Sequence, residues 1–229
     1  KTPLAEGEYY HIYNRGVDKR LVFMQDRDYH RFLYLLSACN GEKPLLNSQF
    51  YYRGLTSIVT SMASAKAEQK GEPLVAVVCF CLMPNHFHLL LKQLIGGGIS
   101  TFMQKIGTGY TMYFNTKYNR SGALFQGAFK ASHIDKEEYL THLTRYIHLN
   151  PGELYKPKWG GKGIEQFSQI HKFAKGYPWS TYGDYLGGKR FEAIIDKEVL
   201  PNIYESPAEY EKFVRGWVGK NFDSIADYT

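Results

Sequence analysis

Residues Leu74 to Lys92 read LVAVVCFCLMPNHFHLLLK, and this stretch decides the architecture. Leu74–Leu82 is an unbroken apolar run, which by its length and composition predicts a buried strand. Met83-Pro84-Asn85 supplies a turn. His86–Lys92 then returns as a second strand, so the two form a β-hairpin. Successive side chains of a strand alternate between faces, so His86 and His88 project from the same side.

Working outward, Tyr9–Tyr13 is aromatic and β-branched and predicts a first strand, closed by the turn-forming Asn14-Arg15-Gly16. Asp26 or Asp28 caps a helix with Tyr29, Phe32, Leu33 and Leu36 on one side. After the hairpin, Gly96-Gly97-Gly98 breaks the chain before a helix from about Ser100 to Tyr118, with Phe102, Ile106, Tyr110 and Tyr113 near one face. Ala123–Ile134 is strand-like, with Gly127 marking a bulge. Asp135 opens another helix with Glu138 as its capping-box partner. Pro151 ends it, because the residue before a proline is pushed out of the helical region.

The resulting order is strand, helix, strand, strand, helix, strand, helix. It fits an α+β fold, a ferredoxin-like sandwich with a central antiparallel sheet and helices on one face. Residues 39–72 lack a clear period and read as an insertion with a short helix near 54–68. Residues 152–190 read as irregular, and Ser206-Pro207-Ala208-Glu209 opens a last helix to about Gly219. Two units follow: a domain over 1–190 interrupted by the insertion, and an acidic C-terminal extension over 191–229.

Charge separates these units. Residues 191–229 carry a net of −4 and residues 1–190 a net of +10. The 62 residues from Pro73 to Ile134 contain no Asp or Glu but hold Lys92, Lys105, Lys117, Arg120 and Lys130. A solvated surface usually mixes both signs, so this span points to a polyanion, with Lys105, Lys117, Arg120 and Lys130 as candidate phosphate contacts. Tyr110 and Tyr113 either stack on unpaired bases or pack in the core. No apolar run reaches the ~20 residues a membrane span needs. Three cysteines, Cys39, Cys79 and Cys81, give no disulfide framework, and a reducing cytoplasm is the expected compartment.

Two neutral imidazoles side by side, as His86 and His88 would be, grip a divalent metal at two points. In the helix after Asp135, Tyr146 and Asn150 are four residues apart and share a face. Asn150, at the helix end, offers an amide oxygen as a third ligand. Tyr146 would then either lie beside the metal as a nucleophile or pack in the core on the helical stripe Tyr139, Leu143, Tyr146. On softness alone such a set suits Zn²⁺ or Mn²⁺, while a substrate phosphate adds the oxygens Mg²⁺ prefers.

Met83-Pro84-Asn85-His86-Phe87-His88 followed by three leucines resembles the HUH motif, histidine–hydrophobe–histidine, of single-tyrosine HUH transposases. Arg145-Tyr146-Ile147-His148-Leu149-Asn150-Pro151 resembles the tyrosine helix of one branch, the REP-associated tyrosine transposases. Tyr13-Asn14-Arg15-Gly16, Leu124-Phe125-Gln126 and Pro178-Trp179-Ser180 echo that branch further. The resemblance spans about Tyr9–Leu186. It implies that His86, His88 and Asn150 bind a divalent metal, Mg²⁺ or Mn²⁺, and that Tyr146 is the catalytic nucleophile. The implied partner is single-stranded or hairpin DNA, in this branch repetitive extragenic palindromes, handled by a monomer or homodimer near the bacterial nucleoid. The implied activity is nicking and rejoining of single strands through a 5′-phosphotyrosine link. Asn85 departs from the branch, whose members often carry an acid there. A non-catalytic nucleic-acid binder on the same sandwich is the main alternative, and a metal hydrolase using His86 and His88 is the other.

Overall fold

The computed structural model describes residues 3–41, 71–156, 164–200 and 204–216. Strands β1 (Tyr9–Arg15), β2 (Val75–Met83), β3 (His86–Gln93) and β4 (Lys130–Ile134) form one antiparallel sheet in the order β2-β3-β1-β4. Helix α1 (Asp26–Ala38) follows β1, and α2 (Gly98–Lys117) links β3 to β4. With two crossover helices and a central hairpin, this is the ferredoxin-like arrangement that the sequence predicts.

Alternation along the strands sorts the side chains into two cores. Tyr10, Ile12, Phe80, Leu82, Phe87, Leu89 and Leu91 face α1 and α2, meeting Phe32, Leu36, Phe102, Ile106 and Tyr110. Tyr110 is fully buried there and its hydroxyl donates to the Val22 carbonyl (2.6 Å), so it is core. The opposite face carries Cys79, Cys81, Met83 and Leu90. It is covered by α3 (Glu137–Leu149), with Leu140, Leu143 and Ile147 inward. The sequence predicts helices on one face only; the structure has them on both. A sheet face as apolar as this one has to be covered to keep it from water.

Four further helices follow: α4 (Gly152–Tyr155), α5 (Ile164–Gly176), α6 (Tyr182–Tyr185) and α7 (Pro207–Arg215). The reading of 152–190 as irregular is therefore corrected. Phe167, Ile170 and Ala174 give α5 a helical stripe, buried in the second core. Residues 179–196 run beside β2 and bond to it, Leu82 N–H to Trp179 O (2.9 Å), Thr181 N–H to Phe80 O (3.1 Å) and Asp196 N–H to Val77 O (2.8 Å). Phe191, Ile194 and Ile195 join the first core, and Tyr210 and Val214 join the second. Residues on both sides of position 190 thus share both cores.

Helix ends differ in detail from expectation. Gln25, not an aspartate, caps α1, and Asp28 is the reciprocal partner three residues in. At α3 the cap is Lys136 and makes no side-chain bond, so the Asp135–Glu138 box does not form. Asn150 keeps helical angles (φ −52, ψ −36) although Pro151 follows. The chain passes through it into α4 on short-range bonds, Glu153 N–H to Asn150 O (3.1 Å) and Leu154 N–H to Pro151 O (3.0 Å). The fourth strand starts at Lys130 and not near Ala123, because Gly127 takes a left-handed φ of 101 and its carbonyl bonds Asn14 Nδ2 (3.0 Å). At α7, Ser206 caps as expected, accepting from Glu209 N–H (3.2 Å). The short helix near 54–68 and the end of the last helix lie outside the described residues. Among the described residues no helix is long and apolar enough to cross a membrane.

Candidate active site

Registration places the site. Across the β1–β3 pair Tyr13 stands opposite His88 and Arg15 opposite His86, while His11 is diagonal to His88. Because these residues alternate along their strands, His11, Tyr13, Arg15, His86 and His88 all share the face beneath α3. Lys130, opposite Tyr13 on β4, joins them and sets its ammonium over the Tyr13 ring, 5.5 Å from the centroid.

Helix α3 closes the site from above. The His88 and Tyr146 rings meet edge to face, 5.5 Å between centroids and 84° between planes. Four residues on, Asn150 is 1% exposed, and its Oδ1 is 3.2 Å from His86 Nε2. Just beyond it Gly152 lets α5 pack close: a Cβ there would meet Ile170 Cγ2 at 2.5 Å. The sequence-predicted His86, His88, Tyr146 and Asn150, up to 64 residues apart in the chain, are therefore brought together.

The nitrogen of His86 that faces Asn150 follows from hydrogen bonding. Asn85 Nδ2 donates to the Lys19 carbonyl (3.3 Å), which turns Asn85 Oδ1 toward His86 Nδ1 at 2.6 Å. Both amide oxygens only accept and a neutral ring has one N–H; the shorter contact, to Asn85, places it on Nδ1 and leaves the Nε2 lone pair facing Asn150 Oδ1, an opposition that a cation between them would relieve. Burial, reinforced by Arg15, holds the His86 imidazole neutral, with its pKa lowered to about 4. His88 is lowered well below the usual imidazole range by burial and then by His86, His11 and Arg15.

Two donors each about 2.1 Å from one divalent ion, at right angles, lie roughly 3 Å apart, close to the spacing of His86 Nε2 and Asn150 Oδ1. The His86 and His88 rings are perpendicular with centroids 5.0 Å apart, as two ligands of one centre can be. Among the described residues no three His, Cys, Asp or Glu side chains form a metal-holding group. The third donor would have to be the Asn150 amide, and this mixed set fits a divalent cation that keeps open positions.

Burial, then the carboxylate of Glu153, push the Tyr146 phenol well above its usual range. The phenolate there would need a nearby cation. Glu153 itself is pushed up by burial and drawn down by Arg15. Glu153, from beyond the acid-free span and three residues past Asn150, is exposed but within electrostatic reach of Tyr146 and Arg15.

Residues 47–150 match the family described as Transposase IS200 like. Over that stretch, a little under half of its length, the chain is similar to the IS200-like transposases. The matched segment contains His86, His88, Tyr146 and Asn150. Among curated proteins no relative matches. Two solved structures are similar in overall path. One is the REP-associated tyrosine transposase bound to a REP hairpin, at 12% identity and a TM-score of 0.48, covering 90% of this chain and 98% of that one. The other is a bacterial tRNA(His) guanylyltransferase-like protein in complex with ATP, at 9% identity and a TM-score of 0.39, covering 95% and 93%.

The four basic candidates are distributed unevenly around this site. Lys130 borders it. Lys117 is paired with buried Asp28 at 2.6 Å, on the far side of the sheet. Lys105 donates to the Gly41 carbonyl (2.6 Å), and Arg120 to Asn115 Oδ1 (2.6 Å) and the Ala123 carbonyl (3.3 Å). His148 faces away from the site and is buried, its Nε2 2.9 Å from Thr181 Oγ1 and its Nδ1 against the Tyr210 hydroxyl. Sequence reasoning missed His11, Arg15 and Glu153. The signal for the first two was present, since His11, Tyr13 and Arg15 alternate along a predicted strand.

Proposed function

We propose that this chain is a metal-dependent single-stranded DNA nicking and strand-transfer enzyme of the tyrosine HUH type, acting beside DNA hairpins. The observation that carries the reading is the approach of Tyr146 and Asn150, from one helix, to His88 and His86 on the sheet. A divalent cation, Mg²⁺ or Mn²⁺, held by His86, His88 and Asn150 would polarise the scissile phosphate and neutralise developing charge. Tyr146 Oη attacks phosphorus, its proton passing to solvent, and the bond to the 3′-oxygen breaks. That oxygen leaves as a 3′-hydroxyl while a 5′-phosphotyrosine link forms. The phosphodiester energy is retained, so the reverse attack reseals a strand without a nucleotide cofactor. Arg15 and Lys130, at the rim, suit the flanking phosphates. Lys105, Lys117 and Arg120, already bonded within the protein, suit that role less. The branch resemblance in the sequence motifs suggests repetitive extragenic palindromes as the substrate.

Glu153 favours one rival, a hydrolase in which this carboxylate activates water. The two separate in a nicking assay on hairpin-flanked single strands with Mg²⁺ or Mn²⁺. Tyr146→Phe abolishes nicking and keeps hairpin affinity within a few fold if tyrosine is the nucleophile; nicking that survives the substitution supports the hydrolase. Hairpin binding without cleavage under either metal supports the non-catalytic binder.

A further inference from the structure

His11 is fully buried on β1, and its Nε2 lies 2.9 Å from His88 Nδ1, with the rings 21° from parallel. A bond between two neutral imidazoles holds one proton, so one ring donates and the other accepts. If His88 donates from Nδ1, its Nε2 lone pair faces the site. If His11 donates instead, His88 carries its proton on Nε2 and cannot ligate.

At His86 the shorter of two amide contacts, to Asn85 anchored on the Lys19 carbonyl, takes the proton on Nδ1, and Asn85 can only accept. His88 is different. Ligating histidines usually hand their second N–H to a carboxylate or a carbonyl, which can only accept. An imidazole can do either. Nothing behind His11 decides the matter, because its Nδ1 is buried with no hydrogen-bond partner among the described residues.

We propose that His11 is a positioning residue for His88, a proton-switchable partner that becomes the acceptor when a divalent cation binds. This rests on the metal reading above. In the switch His88 gives up its Nε2 proton and takes one on Nδ1, while His11 gives up its Nε2 proton and takes one on Nδ1. The pair holds two protons before and after, so both rings stay neutral and no net proton is released.

The test measures Mn²⁺ affinity of the full chain by electron paramagnetic resonance, with melting curves as a folding control. His11→Phe removes the acceptor and weakens Mn²⁺ binding about 10–100-fold, the usual effect of losing such a partner. His11→Gln, whose carbonyl accepts, restores affinity to within about threefold of the original protein. Nitrogen-15 NMR of the unsubstituted chain in Mg²⁺ shows His88 protonated on Nδ1, an observation that needs no variant to fold. A folded His11→Phe that binds Mn²⁺ normally, a Gln variant as weak as Phe, or a proton on His88 Nε2 in Mg²⁺ overturns the proposal. His86→Ala tells its failure from that of the metal reading. Loss of Mn²⁺ in His86→Ala with none in His11→Phe sinks only the role of His11, whereas equal binding by His86→Ala and the original chain sinks both.

Discussion

Replacing Asp28 with asparagine removes one charge from a fully buried hub between α1 and α2. Asp28 Oδ1 accepts from Lys117 Nζ (2.6 Å) and the Tyr113 hydroxyl (2.9 Å). Its Oδ2 accepts from Met24 N–H (2.8 Å), Gln25 N–H (3.0 Å) and the Tyr118 hydroxyl (2.7 Å). An asparagine amide turns one accepting oxygen into a donor that faces donors. Breaking a buried pair from one side costs about 3–5 kcal/mol, and the 21% exposure of the Lys117 side chain lets its ammonium reach water, which favours about 3 kcal/mol. For a chain this long each kcal/mol moves the melting temperature by about 2–4 °C, so the expected fall is about 6–12 °C. Lys117→Met leaves Asp28 with four donors and should cost no more, about 1.5–3 kcal/mol for the one charge-assisted bond.

The pH dependence has a defined sign. Burial raises the Asp28 pKa, but Lys117, Tyr118 and the Met24 and Gln25 amides outweigh it, and the net direction is downward. Its stabilisation is complete above the unfolded carboxyl pKa of about 3.9 and is lost as pH falls through the lower folded value. The gap between the two proteins should therefore be widest at neutral pH and close in acid. Thermal melts followed by circular dichroism decide it. A variant that melts within 1 °C of the original at pH 7 would refute the hub and free Lys117 for a phosphate.

Three further outcomes follow from the same packing. Burial holds His11 and His148 down to about 3 and His86 to about 4. The unfolded chain, with imidazoles near ~6.5, binds protons first, so metal-free stability is full above that pH and declines toward pH 4; an unchanged urea midpoint at pH 7 and 5 contradicts this. Gly16→Ala sets a Cβ 2.3 Å from the Arg20 carbonyl and disturbs Gly16 N–H to Asn85 O (2.9 Å), so the variant should melt earlier and bind Mn²⁺ less tightly, as calorimetry would register. Tyr210→Phe deletes the hydroxyl that joins His148 to Thr144 (3.2 Å to Oγ1) and should cost about 1–3 kcal/mol in urea titration, with the tyrosine helix less firmly held.

Much of this was legible in the chain because period and turn chemistry coincide where the sheet forms. The run 74–92 carries its own turn, and two-residue alternation puts His86 and His88 on one face whatever the tertiary context. Four-residue spacing does the same for Tyr146 and Asn150. What could not be read is the diagonal from His11 to His88, since cross-strand register is set by packing the whole sheet. Glu153 was hidden because Pro151 reads as a stop, yet Asn150 stays helical and carries the chain on into α4. The covering of the second sheet face was hidden for a related reason. The glycine- and lysine-rich stretch before α5 masks a short apolar stripe, and α7 reaches Arg145 and His148 only through tertiary contacts, Arg145 donating to the Phe213 carbonyl at 3.0 Å.

The central claim is that Tyr146 forms a covalent link to DNA. The most direct measurement incubates the protein with hairpin-bearing single strands labelled at the 5′ or 3′ end, in Mg²⁺ or Mn²⁺, and resolves the products on a denaturing protein gel. The account predicts that label from the 3′ side travels with the protein, and that Tyr146→Phe shows none. Cleaved DNA with no protein-bound label, or an adduct that persists in Tyr146→Phe, would contradict it.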